Sequence, residues 1–146
     1  MPAAAADGRP TVLFVCTHNA ARSQLAEALL RDRHGDRWRA LSAGTEARGV
    51  HPLARRALTE ARVDTSGLAS KTVESLGGGP FDVVVTVCDD AREACPYVAA
   101  RRRLHHGVPD PSRAPEATRL DAFRQTRDAL AAWIDATFGP DAPPLP

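Results

Sequence analysis

The stretch Thr11-Val12-Leu13-Phe14-Val15-Cys16-Thr17-His18-Asn19-Ala20-Ala21-Arg22-Ser23-Gln24-Leu25 decides the fold of this chain. Residues Thr11 to Val15 form a continuous run without polar alternation, the pattern of a strand covered on both faces of a parallel sheet. From Gln24 to Arg33 the period changes: Leu25, Ala28 and Leu29, with Ala26 and Leu30, recur at helical spacing until Gly35 stops them. Between strand and helix lies Cys-x5-Arg-Ser. A loop this short has to curl, and curling aims successive backbone N–H groups inward beside the positive end of the helix. The result is a cradle for a tetrahedral oxyanion, lined by Thr17, His18, Asn19, Ala20, Ala21, Arg22 and Ser23, with the Cys16 thiol at its base. Arg22 offers a planar fork for two anion oxygens. The positive surroundings and the Ser23 hydroxyl favour the thiolate of Cys16, which is the reactive form. Asn19 suits the left-handed backbone that such a curl needs. The plainer reading makes Cys16 a small buried hydrophobe and Arg22 a surface charge, and it leaves the strand, loop, Ser23 and helix sequence without a reason.

Working outward, the same alternation of strand and helix continues. Ala40 to Ala43 reads as a second strand ending at Gly44, and His51-Pro52 opens a helix carrying Leu53, Ala54, Ala57, Leu58 and Ala61, because Pro is accepted in a first turn. Lys71 to Leu76 reads as a short helix before the Gly77-Gly78-Gly79-Pro80 break. Phe81 to Val87 is the strongest strand signal, with four valines in seven residues. Leu104 to Val108 reads as a weaker fourth strand. Thr118 to Phe138 reads as a long amphipathic helix with Leu120, Phe123, Leu130, Trp133, Ile134 and Phe138 inward, ended by Gly139-Pro140. The fold class is therefore α/β, a four-stranded, doubly wound parallel sheet with helices on both faces. Ligands in such sheets bind beyond the carboxyl ends of the strands near the topological switch point, which is where the Cys16 loop falls.

The chain has 146 residues, 43% hydrophobic and 25% charged, with a net charge of +1. That length suits a single domain spanning 1–146, with 1–10 and 139–146 as disordered or loosely packed tails. A charge near zero provides no general field for nucleic acid or membrane, so binding has to come from a local site. Met1 to Pro10 has neither a basic segment nor an apolar core of the signal-peptide kind, and no run reaches membrane-spanning length. Three cysteines fit a secreted disulfide framework poorly and suit a reducing cytoplasm.

The other two cysteines follow the third strand in Val87-Cys88-Asp89-Asp90-Ala91-Arg92-Glu93-Ala94-Cys95-Pro96. If Asp89 to Ala94 is helical, seven steps of ~1.5 Å set their α-carbons about 10 Å apart, beyond the ~7 Å reach of a disulfide, so bonding them requires the segment to unwind. Taken alone, Cys88 is a core residue and Cys95 a helix-end residue. Beside an activated Cys16, the three thiols have the numbers for a relay: one nucleophile and two resolving thiols.

Four features together resemble the thioredoxin-coupled arsenate reductases of the low-molecular-weight protein tyrosine phosphatase-like family. They are Cys16 to Gln24, Ser42-Ala43-Gly44, the Cys88/Cys95 pair, and His106-Gly107-Val108-Pro109-Asp110-Pro111. Plain phosphatases of this fold share the first and last, whereas the cysteine pair is the reductase addition. The resemblance implies that Cys16 attacks arsenate, Arg22 clamps it, Asp110 protonates the departing hydroxyl, and Cys88 then displaces arsenite to leave a Cys16–Cys88 disulfide. Cys95 next takes Cys88, and the Cys88–Cys95 disulfide is reduced by thioredoxin. No bound cofactor is implied, phosphate or sulfate would occupy the same cradle, and the enzyme would act as a cytoplasmic monomer. The alternative is a tyrosine phosphatase hydrolysing phosphomonoesters through a phosphocysteine at Cys16. Against it, Asp110-Pro111 continues as Ser112-Arg113 with no aromatic residue to guide a phenyl ring. A non-catalytic thiol sensor is a third reading, in which Arg22 has no task.

Some members of that family hold potassium beside the loop through side chains corresponding to Asn19, Glu27 and Ser42 with an acidic residue. At the acidic position this chain carries Lys71, its single lysine among 19 basic residues, with Ala69 two places earlier. This departure from the family pattern puts an ammonium group in place of the cation, expected to pair with Glu27 and steady Asn19, with no metal requirement; the plainer reading is an exposed lysine at a helix start. Arg101-Arg102-Arg103 reads as a solvated strand edge, and no nucleic-acid partner is expected. His105 and His106 lack companions for a zinc site. His18 reads as a residue of the cradle entrance, and Trp38 and Trp133 as packing.

Overall fold

The computed structural model describes residues 8–87 and 98–146. Four parallel strands form one sheet: β1 (Thr11–Cys16), β2 (Arg39–Gly44), β3 (Phe81–Thr86) and β4 (Ala100–His105), in the order β2-β1-β3-β4. Leaving β1 for β2 on one side and returning to β3 on the other puts the switch point between β1 and β3, directly above Cys16. Every residue of β1 is buried, as expected of a central strand.

Helix α1 (Arg22–His34) has eight consecutive buried residues, Ser23 to Leu30, so it is enclosed all round rather than along one stripe. It packs against β1, β2 and the last helix. That last helix, α3 (Arg119–Phe138), buries Phe123, Leu130, Ile134 and Phe138. Helix α2 (Pro52–Glu60) packs Ala54, Ala57 and Leu58 inward, with His51 as its N-cap. Each fully buried Leu or Phe contributes about 1.5–3 kcal/mol, so the shared core of β1, α1 and α3 fixes the platform under the Cys16 loop. At the far end, Phe138 meets Phe14, Trp38 and Trp133 edge-on at 6.4, 5.1 and 5.8 Å. Asp135 ties α3 to α1 through Arg33 and His34 and is held down to about 2, first by the Arg33 hydrogen bond against a smaller cost of burial.

Two elements differ from the sequence reading. β4 starts four residues earlier than Leu104, ends at His105 rather than Val108, and contains Arg101, Arg102 and Arg103. An edge strand pairs on one side only, which leaves room for charged side chains. Arg101 lies 3.6 Å from Asp82, Arg102 donates to the Leu145 and Pro146 carbonyls at 3.4 and 3.2 Å, and Arg103 donates to the Val98 carbonyl. These contacts also place the C-terminal tail against the sheet edge, with Leu145 packed on the core. Second, Lys71 to Leu76 is not one helix. Thr72 bridges Gly44 in parallel fashion and only Glu74–Leu76 forms a 3-10 turn. The β-branched Thr72 and Val73 prefer that extended rung, which is closed by Gly44 N–H to Lys71 O and Val73 N–H to Gly44 O, both 2.9 Å.

Candidate active site

The loop from Cys16 to Arg22 turns the carbonyls of Thr17, His18, Asn19 and Ala20 outward, and each of these finds a donor in the surrounding shell. Thr17 O accepts from Glu46 N (3.0 Å) and the Thr45 hydroxyl (2.9 Å), His18 O from Arg48 N (3.1 Å), and Ala20 O from His51 N (2.8 Å). Asn19 O takes the Ser70 hydroxyl and the Gln24 carboxamide, both at 3.0 Å. Carbonyls pointing out leave N–H groups pointing in. Among the described residues, the N–H groups of His18, Asn19, Ala20 and Ala21 have no protein acceptor. The first N–H groups of α1 add to them, since Ala21 at the N-cap offers no side-chain acceptor. Asn19 adopts φ 47°, the left-handed kink the curl requires. Gly44 makes the tight fit possible: a Cβ there would stand 2.7 Å from the Thr17 and Glu46 carbonyl oxygens and 2.8 Å from Asn19 N.

Cys16 is 3% exposed, and its sulfur is 2.8 Å from the Ser23 hydroxyl. The direction of that hydrogen bond follows from its neighbours. Asn19 Nδ2 has only hydrogens to give, and it gives them to Ser23 Oγ at 2.8 Å and Ser42 Oγ at 3.0 Å. Ser23 thus accepts from Asn19 and is free to donate to the sulfur, steadying negative charge there. Ser42 in turn donates to Glu27 Oε1, a carboxylate only 2% exposed. Glu27 Oε2 is paired with Arg31, and Lys71 Nζ lies 3.8 Å from Oε1. Asn19 Oδ1 is filled as well, accepting Lys71 N–H at 2.7 Å and Gln24 Nε2 at 2.9 Å. Asn19, Ser23, Glu27, Ser42 and Lys71 therefore converge on one buried network, Lys71 acting through both its backbone and its ammonium group, which also donates to Ala69 O at 2.6 Å.

Arg22, whose side chain is 11% exposed, donates to Val108 O at 3.1 Å and lies 3.6 Å from Asp110. Burial pushes the Asp110 carboxyl up, but the Ser112 hydroxyl and N–H, with Arg22 and Arg113, outweigh it and hold the group below the ordinary carboxylate range. His51 is pushed down by burial and by the Arg119 charge, with Asp110 opposing. His106 stacks on Trp133 at 4.4 Å. Cys88 and Cys95 lie outside the described residues. Val87, which precedes Cys88 in sequence, donates to the carbonyl of Val15, which precedes Cys16, at 3.1 Å.

Sequence reading gave no role to Gln24, Thr45, His51, Ser70 or Ser112. Ser112 had a signal, since a serine two residues after an aspartate commonly bonds back to it. Thr45 and Ser70 reach the loop carbonyls through their hydroxyls and His51 through its N–H, all from distant segments, and Gln24 folds its carboxamide back onto Asn19 from the first turn of α1; spacing reveals none of these contacts.

A parallel α/β sheet carrying a Cys-x5-Arg nest at the end of its first strand defines an oxyanion-binding enzyme with a cysteine nucleophile. Residues 11–137 match the family described as low molecular weight phosphotyrosine protein phosphatase. The arsenate reductase of Bacillus subtilis is 38% identical over 122 residues, 82% of this chain and 88% of that protein. Among solved structures, an arsenate reductase in the phosphate binding state superposes with a TM-score of 0.74 at 28% identity, covering 86% of this chain and 94% of that one. The thioredoxin-dependent arsenate reductase of Corynebacterium glutamicum gives 0.67 at 26%, covering 90% of this chain and 63% of that one. The chain belongs to the low molecular weight phosphotyrosine protein phosphatase family, among its arsenate reductases.

Proposed function

We propose that this protein reduces arsenate to arsenite at the Cys16 loop and passes the oxidising equivalents through Cys88 and Cys95 to thioredoxin. The nest of inward N–H groups around a sulfur that accepts the Ser23 hydrogen bond carries the chemistry. It holds a tetrahedral dianion against a nucleophile in water-poor surroundings, where each hydrogen bond to developing charge counts most. Arsenate and phosphate fit it alike. Selection of arsenate rests on the two further thiols and on the likeness to arsenate reductases.

The Cys16 thiolate attacks arsenic, the S–As bond forms, and an As–O bond breaks as Asp110 gives its proton to the leaving oxygen, releasing water. The Cys88 thiolate then attacks the Cys16 sulfur. The S–As bonding pair stays on arsenic, which departs as arsenite, two electrons richer, and a Cys16–Cys88 disulfide remains. Attack by Cys95 on Cys88 frees Cys16. A dithiol, thioredoxin in this reading, supplies two electrons and two protons to the Cys88–Cys95 disulfide. The order, Cys88 before Cys95, is the one the resemblance to the thioredoxin-coupled arsenate reductases implies. The protein acts in this reading as a cytoplasmic monomer. Among the described residues no helix is long and apolar enough to cross a membrane.

The decisive assay is arsenate-dependent NADPH oxidation in the presence of thioredoxin and thioredoxin reductase, set beside p-nitrophenyl phosphate hydrolysis. Oxidation should require both arsenate and thioredoxin and outrun the ester hydrolysis. Brisk hydrolysis with no NADPH consumption would make the protein a phosphomonoesterase.

The potassium site that some members of the family hold does not suit these residues. Asn19 Oδ1 and both Glu27 oxygens already face donors, among them the cations Lys71 and Arg31. A monovalent cation would add a third positive charge to one carboxylate. Potassium chloride should therefore raise the arsenate reduction rate no more than sodium chloride at equal ionic strength; a selective rise with potassium would remove Lys71 from this role.

A further inference from the structure

Asp110 is held by groups that differ in how easily they can let go. Its Oδ1 accepts the Ser112 N–H at 2.9 Å and the Ser112 hydroxyl at 2.7 Å, both within the Pro111–Arg113 turn that Asp110 caps. Its Oδ2 faces Arg22 at 3.6 Å. Arg113 stands 4.0 Å from Oδ2 on a side chain 79% exposed, where solvent screens it. His51, at the α2 N-cap, couples to Asp110 but is kept uncharged at neutral pH by burial and by Arg119 at the start of α3. Arg22 is therefore the one close, shielded cation on the carboxylate among the described residues, and it is also the arginine of the oxyanion loop.

We propose that Arg22 and Ser112 divide the control of Asp110: an incoming oxyanion draws Arg22 away and so loads a proton onto the carboxylate, while Ser112 decides which oxygen carries it. This rests on the reading of Asp110 as the acid of the first step. A dianion in the loop and an ionised Asp110 compete for the same guanidinium. When the dianion wins, the carboxylate loses its cation and gains a like-charged neighbour, and both changes favour its neutral form. Both acceptor positions of Oδ1 are taken by Ser112, so the proton goes to Oδ2, the oxygen that faces the loop. That proton comes from solvent. In the first step the Oδ2–H bond breaks and the leaving oxygen becomes water, while S–As forms and As–O breaks. No electrons leave the enzyme at this stage. Asp110 is again a carboxylate, ready for Arg22 once arsenic departs. Ser112 is a positioning residue, and the arrangement confines a loaded acid to protein that already holds its oxyanion.

Carbon-13 NMR titration of the Asp110 carboxyl tests this, with the signal assigned by Asp110→Asn and inorganic sulfate as probe, because sulfate stays a dianion across the range. Without sulfate, Asp110 should titrate below the ordinary aspartate range, and saturating sulfate should raise its midpoint by about one unit or more. Ser112→Ala should raise the sulfate-free midpoint and lower kcat for arsenate by roughly tenfold with KM little changed. Ser112→Thr, which keeps the hydroxyl, should restore both. A midpoint indifferent to sulfate overturns the exchange of Arg22, and wild-type midpoint and kcat in Ser112→Ala overturn the role of Ser112. Full turnover by Asp110→Asn would instead remove the acid reading itself, an outcome separate from either titration result.

Discussion

Replacing Cys16 with serine is expected to abolish arsenate reduction and p-nitrophenyl phosphate hydrolysis together, by roughly 10⁶-fold as for other essential nucleophiles. Cys16 is the buried residue at the base of the nest, and its sulfur is what the Ser23 hydroxyl is arranged to support. A serine hydroxyl there stays protonated at neutral pH, because one hydrogen bond and a helix terminus cannot ionise an alcohol. The cradle itself should survive. Its carbonyls are anchored by Glu46, Arg48, His51 and Ser70, none of which depends on the sulfur. Calorimetric titration with sulfate should therefore show affinity close to wild type in the variant that has lost both activities. Loss of anion binding along with activity would mean that the substitution collapsed the loop. Activity within about tenfold of wild type would place the nucleophile elsewhere.

The parts of this site legible in the sequence are those built from consecutive residues. Thr11 to Val15 reads as a central strand because nothing in it requires water, and the change to helical spacing after Ser23 marks the loop; both appear where expected. Asn19 was legible for the same reason, since few other residues tolerate the backbone found there. What stayed hidden depends on partners far along the chain. The three arginines read as a solvated strand edge and are one, but the start of β4 at Ala100 was not legible, because those charges find their places only beside Asp82 and the C-terminal carbonyls. Lys71-Thr72-Val73 looks like a helix start until Gly44, far earlier in the chain, offers Thr72 a sheet rung. The pairing of Arg22 with Asp110 joins the loop after β1 to the loop after β4. No local pattern in either loop announces that contact, although parallel strands deliver both to one edge of the sheet.

Cys88→Ser separates the two chemistries that one cradle can support. The variant keeps Cys16, Arg22 and Asp110, so the first displacement proceeds and any phosphate ester hydrolysis continues at the wild-type rate. Arsenic bound to Cys16 then has no thiol to displace it reductively, and water returns it as arsenate with its oxidation state unchanged. Thioredoxin-coupled NADPH oxidation should fall to background, and no arsenite should accumulate. Cys95→Ser provides the matching count. Here Cys88 still attacks Cys16, so each chain should release one arsenite in a single turnover and then halt as a Cys16–Cys88 disulfide, a stoichiometry fixed by the two electrons that two thiols release in forming one disulfide. Quantifying arsenite per chain in the absence of reductant, with mass spectrometry of the trapped disulfide, distinguishes the two variants from wild type. Sustained thioredoxin-dependent reduction by Cys88→Ser would mean that another group accepts the oxidising equivalents, and the order of the relay would have to be abandoned.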